Sequence, residues 1–66
     1  MARITVIELS IVHFAHQVVI NGTTVMGLKS NLYKLELIDT TLQITEKSTE
    51  RRYFVPLSNI ASYELI

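Results

Sequence analysis

Residues 53–60 read Tyr53-Phe54-Val55-Pro56-Leu57-Ser58-Asn59-Ile60, and this stretch decides the fold. Tyr53, Phe54 and Val55 favour a pleated surface. Pro56 has no N–H to give a ladder, so it stops that strand or lies on a sheet edge. Leu57-Ser58-Asn59 then predicts one turn of 3₁₀ helix, because Ser and Asn bond their own local backbone. Ile60 to Leu65 is a final strand, with Ala61, Tyr63 and Leu65 on one face. A strand, a one-turn break and a second strand mean a sheet that turns a corner.

The residues before this stretch extend the pattern. Leu32 to Ile38 alternates, with Tyr33, Leu35 and Leu37 opposite Lys34 and Glu36. Asp39-Thr40 makes a tight reversal, after which Leu42 and Ile44 alternate with Gln43 and Thr45. Glu46 to Arg51 is the most polar window and reads as an exposed hairpin loop, followed by a strand from Arg52 to Val55. Residues 31–65 therefore read as an antiparallel meander on which the first thirty residues pack.

In that earlier part, Asn21-Gly22 is the strongest local signal. It lies between Val18-Val19-Ile20 and Thr23-Thr24-Val25-Met26. A type I′ hairpin turn needs positive φ at both central residues, which Asn and Gly accept. Gly27 is expected to end or bend that second strand, and Lys29-Ser30-Asn31 to form a polar connection. From Arg3 to Val12 the chain is dense in β-branched residues, which suit a strand. Ile7, Leu9 and Ile11 would share one face. A short helix near residues 8–18 also fits, because Ile4, Ile7, Ile11, Phe14, Ala15 and Val18 fall near one helical stripe. His13-Phe14-Ala15-His16-Gln17 fits a bend, a bulge or one helical turn. The fold expected is mainly β: one domain over residues 1–66, an antiparallel curled sheet or small barrel of five or six strands, of SH3-like or OB-like size.

Composition narrows the function classes. The chain of 66 residues has no cysteine, so neither a disulfide nor a thiolate zinc site can brace it. Its apolar share is 48% and its mean hydropathy +0.32, high for a domain with so much surface per residue. The surplus predicts an apolar patch covered by another copy or a partner, hence a homo-oligomer or a protein-binding module. Phe14, Met26, Leu28, Leu65 and Ile66 are the interface candidates, lying at segment ends or in poorly patterned stretches. Six basic and six acidic residues give zero formal charge, so the chain lacks the field that draws proteins to nucleic acid non-specifically. No apolar run reaches the length of a membrane span. Glu8, with His13 and His16 after it, argues against a signal peptide, so a cytoplasmic protein is expected.

No constellation of residues advertises catalysis. Glu8, Glu36, Asp39, Glu46, Glu50 and Glu64 are scattered, and Ser10, Ser30, Ser48, Ser58 and Ser62 sit in no nucleophile context. His13 and His16 are two ligands where a metal needs three or four. A non-enzymatic protein without cofactor or metal is therefore expected. Tyr33, Lys34, Lys47, Arg51, Arg52 and Tyr53 offer an alternative, a basic aromatic face for single-stranded nucleic acid. Glu46 and Glu50 in the same loop offset its charge.

The run Phe54-Val55-Pro56-Leu57-Ser58-Asn59-Ile60-Ala61-Ser62-Tyr63-Glu64 resembles the C-terminal ending of small accessory proteins of tailed bacteriophages. In those proteins a strand, a proline, a Ser-Asn turn and a last strand close a tiny β-domain. The resemblance implies a phage-encoded protein made in a bacterial cytoplasm, acting by binding a host or virion protein. It supplies no catalytic residues.

Overall fold

The computed structural model describes residues 5–66, so the expectations placed on residues 1–4 lie outside the described residues. Six strands form one antiparallel sheet: β1 (Val6–Ile20), β2 (Thr23–Lys29), β3 (Tyr33–Ile38), β4 (Thr41–Glu46), β5 (Arg52–Pro56) and β6 (Ile60–Leu65). A 3₁₀ turn, Leu57–Asn59, joins β5 to β6. The order is β2-β1-β3-β4-β5, with β6 on the free side of β1. The sheet curls into a half-barrel, as the meander pattern predicts.

β1 is the hub. Residues 6–9 pair with β3, while residues 11–13 and 18–20 pair with β2. Residues 9–14 pair with β6 on the opposite edge. No helix forms near residues 8–18; the β-branched residues hold an extended chain throughout. A straight strand of this length would span about 50 Å. The longest dimension of the molecule is 39 Å, so β1 must bend. Two irregularities bend it. Opposite β6, the register shifts between Leu9 and Ile11, which leaves Ser10 as the extra residue. Opposite β2, four residues of β1 (Phe14 to Gln17) face only Met26. The second is the bulge that His13–Gln17 allowed, and it brings Ile20, at the hairpin tip, into the core.

The Ser10 bulge also corrects the expected face. Ile7 and Leu9 sit on the core side, but Ile11 does not share it, because the extra residue hands that side to Val12 and Phe14. The core is Leu9, Val12, Phe14, Ile20, Leu28, Leu35, Leu37, Leu42, Ile44 and Val55. The meander registers follow the predicted alternation: Leu35, Ile44 and Tyr53 form one row, and Leu37, Leu42 and Val55 the next.

The turns use positive φ where the sequence permits it. Asn21 and Gly22 adopt φ 52° and 77°, as a type I′ turn needs. Asp39 (φ 53°) takes the β3–β4 reversal and its N–H donates to Thr5 O at 3.2 Å. Gly27 neither ends nor breaks β2, which continues to Lys29. Its reason is contact: a Cβ there would stand 2.8 Å from Val12 O and 3.2 Å from His13 Nδ1. Only a bare α-carbon lets the two backbones approach this closely.

Candidate interaction surface

β6 has one neighbour. It pairs with β1, and among the described residues no strand pairs with its other edge. Its register assigns the side chains. Ile60 opposes Phe14, Tyr63 opposes Val12 and Leu65 opposes Leu9. Directly opposed residues project to the same face of a sheet, so all three point to the side that carries the core. A second register shift leaves Ala61 unpaired, and Ala61 does not join Tyr63 and Leu65 in the row as expected. Ile60 is half-buried, but Tyr63 is 44% exposed and Leu65 60%. The inner face of the half-barrel thus continues onto β6, and none of the described residues covers Tyr63 or Leu65 fully.

The strand is fixed from below by polar contacts. Asn59 clamps the turn onto the β1 bulge: His16 N–H donates to Asn59 Oδ1 at 2.9 Å, and Asn59 Nδ2 donates to His16 O at 3.3 Å. At the other end, the Ser10 hydroxyl donates to the carbonyls of Glu64 and Leu65, each at 3.3 Å. Ile66 N–H continues the ladder to Glu8 O at 3.3 Å. The bulge residue Ser10 and the turn residue Asn59 therefore hold β6 at both ends. The 3₁₀ turn forms as expected, but Asn59 bonds the backbone of His16, 43 residues away, where local bonding was expected.

Ile66, 78% exposed, borders a cleft of about 280 Å³ lined by Leu9, Tyr33 and Leu35, with Ser30 and Lys47 at its rim. Lys47 Nζ donates to Ser30 O at 2.9 Å across that rim. Tyr63 and Leu65 form an apolar row on the inner face, and Ile66, opposite Glu8, adds an exposed apolar side chain at the end of β6.

The five interface candidates divide. Leu65 and Ile66 belong to this exposed set. Met26 is half-exposed on β2, away from β6. Phe14 and Leu28 are core residues at 3% and 7% exposure and offer no surface. Phe14 is buried because the Ser10 bulge turns it inward, and Leu28 because it opposes Val12. The sequence reading missed Tyr63 as surface, because its exposure follows from the register of β6 on β1. Phe54, 64% exposed, was missed as well. It alternates out of phase with Tyr53 and Val55 and stands on the outer face beside Gln43.

The basic aromatic set is divided by the pleat. Tyr33 and Tyr53 pack against the core from the inner face. Lys34 and Arg52 share an outer row with Thr45 between them. Lys34 pairs with Glu36 at 3.9 Å. Lys47 and Arg51 flank the β4–β5 loop, which turns through Glu50 at φ 61°. Tyr33, Lys34 and Lys47 line one cleft, but Arg51, Arg52 and Tyr53 do not join them there, so the six residues do not form one surface. His13 is exposed opposite Gly27, and His16 lies in the bulge. Among the described residues no three His, Asp or Glu side chains gather as metal ligands. Among the described residues no helix is long and apolar enough to cross a membrane. No protein-family model, curated protein or solved structure matches the chain significantly.

Proposed function

We propose that this protein is a small non-enzymatic binding module that associates with protein through β6. One observation carries the reading: Tyr63 and Leu65 face the core side of the sheet yet stand in solvent. A core-side row left open is costly in water, at ~25 cal/mol per Å² of apolar surface. Its edge also presents unpaired N–H and C=O groups, which accept an added strand. The resemblance of residues 54–64 to phage accessory proteins suits the same role. The partner is then a host protein or a virion component, met in the bacterial cytoplasm. Service as the subunit of a structural oligomer uses the same surface.

Capture tests this. The chain is immobilised and bound proteins are eluted from bacterial lysate and identified by mass spectrometry. The double substitution Leu65→Lys with Ile66→Lys should abolish specific capture while the circular dichroism spectrum stays β-like. Capture that persists unchanged in that variant refutes the assignment to β6.

A further inference from the structure

We infer that the occupant of the β6 edge is a second copy of this chain, paired antiparallel, β6 to β6, about a two-fold axis near Ser62 and Tyr63. This rests on the reading of β6 as the binding edge and names what covers it.

Three observations favour a second copy. The first is the contrast among the open edges. β5 is flanked by Arg51 and Arg52 and ends in Pro56, and these features deter strand addition. β2 ends in Lys29, and Met26 is its one strongly exposed large apolar side chain. β6 carries a single charge, Glu64, among Ile60, Ala61, Tyr63 and Leu65. It is the least defended edge.

The second is self-complementarity. An isologous pair places residue i against residue j and j against i. With the axis through Tyr63, Glu64 opposes the second copy's Ser62 and Leu65 opposes Ala61. The two Tyr63 rings then share the inner face, and the two Glu64 carboxylates do not oppose each other. The chain has zero formal charge, so two copies approach without net repulsion.

The third is area. Tyr63, Leu65 and Ile66 are 44%, 60% and 78% exposed. At roughly 150–250 Å² for a large side chain, they leave about 300 Å² uncovered per copy. Two such strips plus two six-residue strand edges set an upper bound of roughly 1,000 Å², the size of a weak or transient specific pair. Pairing would also set the two inner faces side by side in one continuous sheet.

The absence of cysteine makes the test direct. Single cysteines are placed at Ser62 and Tyr63, with Thr24→Cys on β2 and Phe54→Cys on β5 as controls. Each is oxidised at low protein concentration. Cross-linked dimer is expected from Ser62→Cys or Tyr63→Cys and only background from the controls. Light scattering across a concentration series should show a dimer, and Leu65→Lys with Ile66→Lys should weaken it by about 100-fold or more. Hydrogen exchange on the unmodified chain needs no variant to fold. Amides of residues 61–65 should exchange more slowly at high than at low concentration. A monomer at every concentration overturns the inference, as do cross-links that favour the controls or β6 exchange that ignores concentration. If the chain stays monomeric yet its capture of other protein still depends on Leu65 and Ile66, the second copy is refuted and the binding edge stands. If it dimerises through β6 but captures nothing, the pairing stands and the heterologous partner falls.

Discussion

Replacing Asn59 should destabilise the fold more than an exposed turn residue normally would. Its amide makes two bonds to one backbone unit, accepting from His16 N–H at 2.9 Å and donating to His16 O at 3.3 Å. Each such bond is worth about 0.5–1.5 kcal/mol net. Asn59→Ala loses both, a cost of about 1–3 kcal/mol before water is counted. His16 is exposed, so solvent takes up part of the deficit, which places the expected loss near 1–2 kcal/mol. In a domain of this size each kcal/mol lowers Tm by about 4–8 °C. Asn59→Asp separates the two bonds. It keeps the acceptor for His16 N–H but sets a carboxylate oxygen against His16 O, where a donor stood. It should be no more stable than the alanine variant at neutral pH. Urea unfolding at one fixed protein concentration reads the difference as a shift in midpoint at constant slope. An unchanged midpoint for Asn59→Ala, or an Asp variant as stable as the parent, would refute the idea that this side chain pins the bulge.

Three further outcomes follow from particular contacts. Gly27→Ala forces a Cβ to within 2.8 Å of Val12 O, so it should cost about 1–3 kcal/mol in urea unfolding despite a favourable loss of chain entropy. Gly22→Ala meets no atom within 4 Å, and its penalty comes from φ 77° alone, about 1 kcal/mol. D-alanine, introduced by chemical synthesis, should relieve strain at position 22, whereas Gly22→L-Ala retains it; equal stability of the two would contradict the turn assignment. The division of the six residues between the cleft and the β4–β5 loop predicts no salt-dependent binding of a single-stranded oligonucleotide in fluorescence anisotropy at low salt. Binding that weakens with Arg51→Ala and Arg52→Ala would restore the nucleic-acid reading.

The meander was legible because its pattern is unbroken. From Leu35 to Val55 each strand keeps one phase, so alternation in the sequence is alternation in space. Asn21-Gly22 was legible because few dipeptides tolerate two positive φ values in succession. β1 was ambiguous for a physical reason. Its buried residues are Leu9, Val12, Phe14 and Ile20, and the Ser10 bulge changes their parity between the first and second. A strand that changes phase loses the period of two, and apolar spacings of three and four then mimic a helix. The same extra residue turned Phe14 into the core and Ile11 out of it. The exposed strip was half legible. Leu65 and Ile66 stood out as apolar residues at a segment end, but placing Tyr63 beside Leu65 on the inner face required the register with β1.

The central position of β1 shapes how the chain can fold. β3, β4 and β5 are joined by short turns and can zip together while the ends of the chain still wander. β1 cannot finish so early, because its last neighbour is a distant one: Leu9 meets Leu65 only after every strand between them has been made. Closing so long a loop is slow relative to hairpin formation. On the ribosome, Leu9, Val12 and Phe14 therefore wait with one flank bare until β6 emerges, and that interval is when the newborn chain is most open to capture by chaperones or by its own siblings.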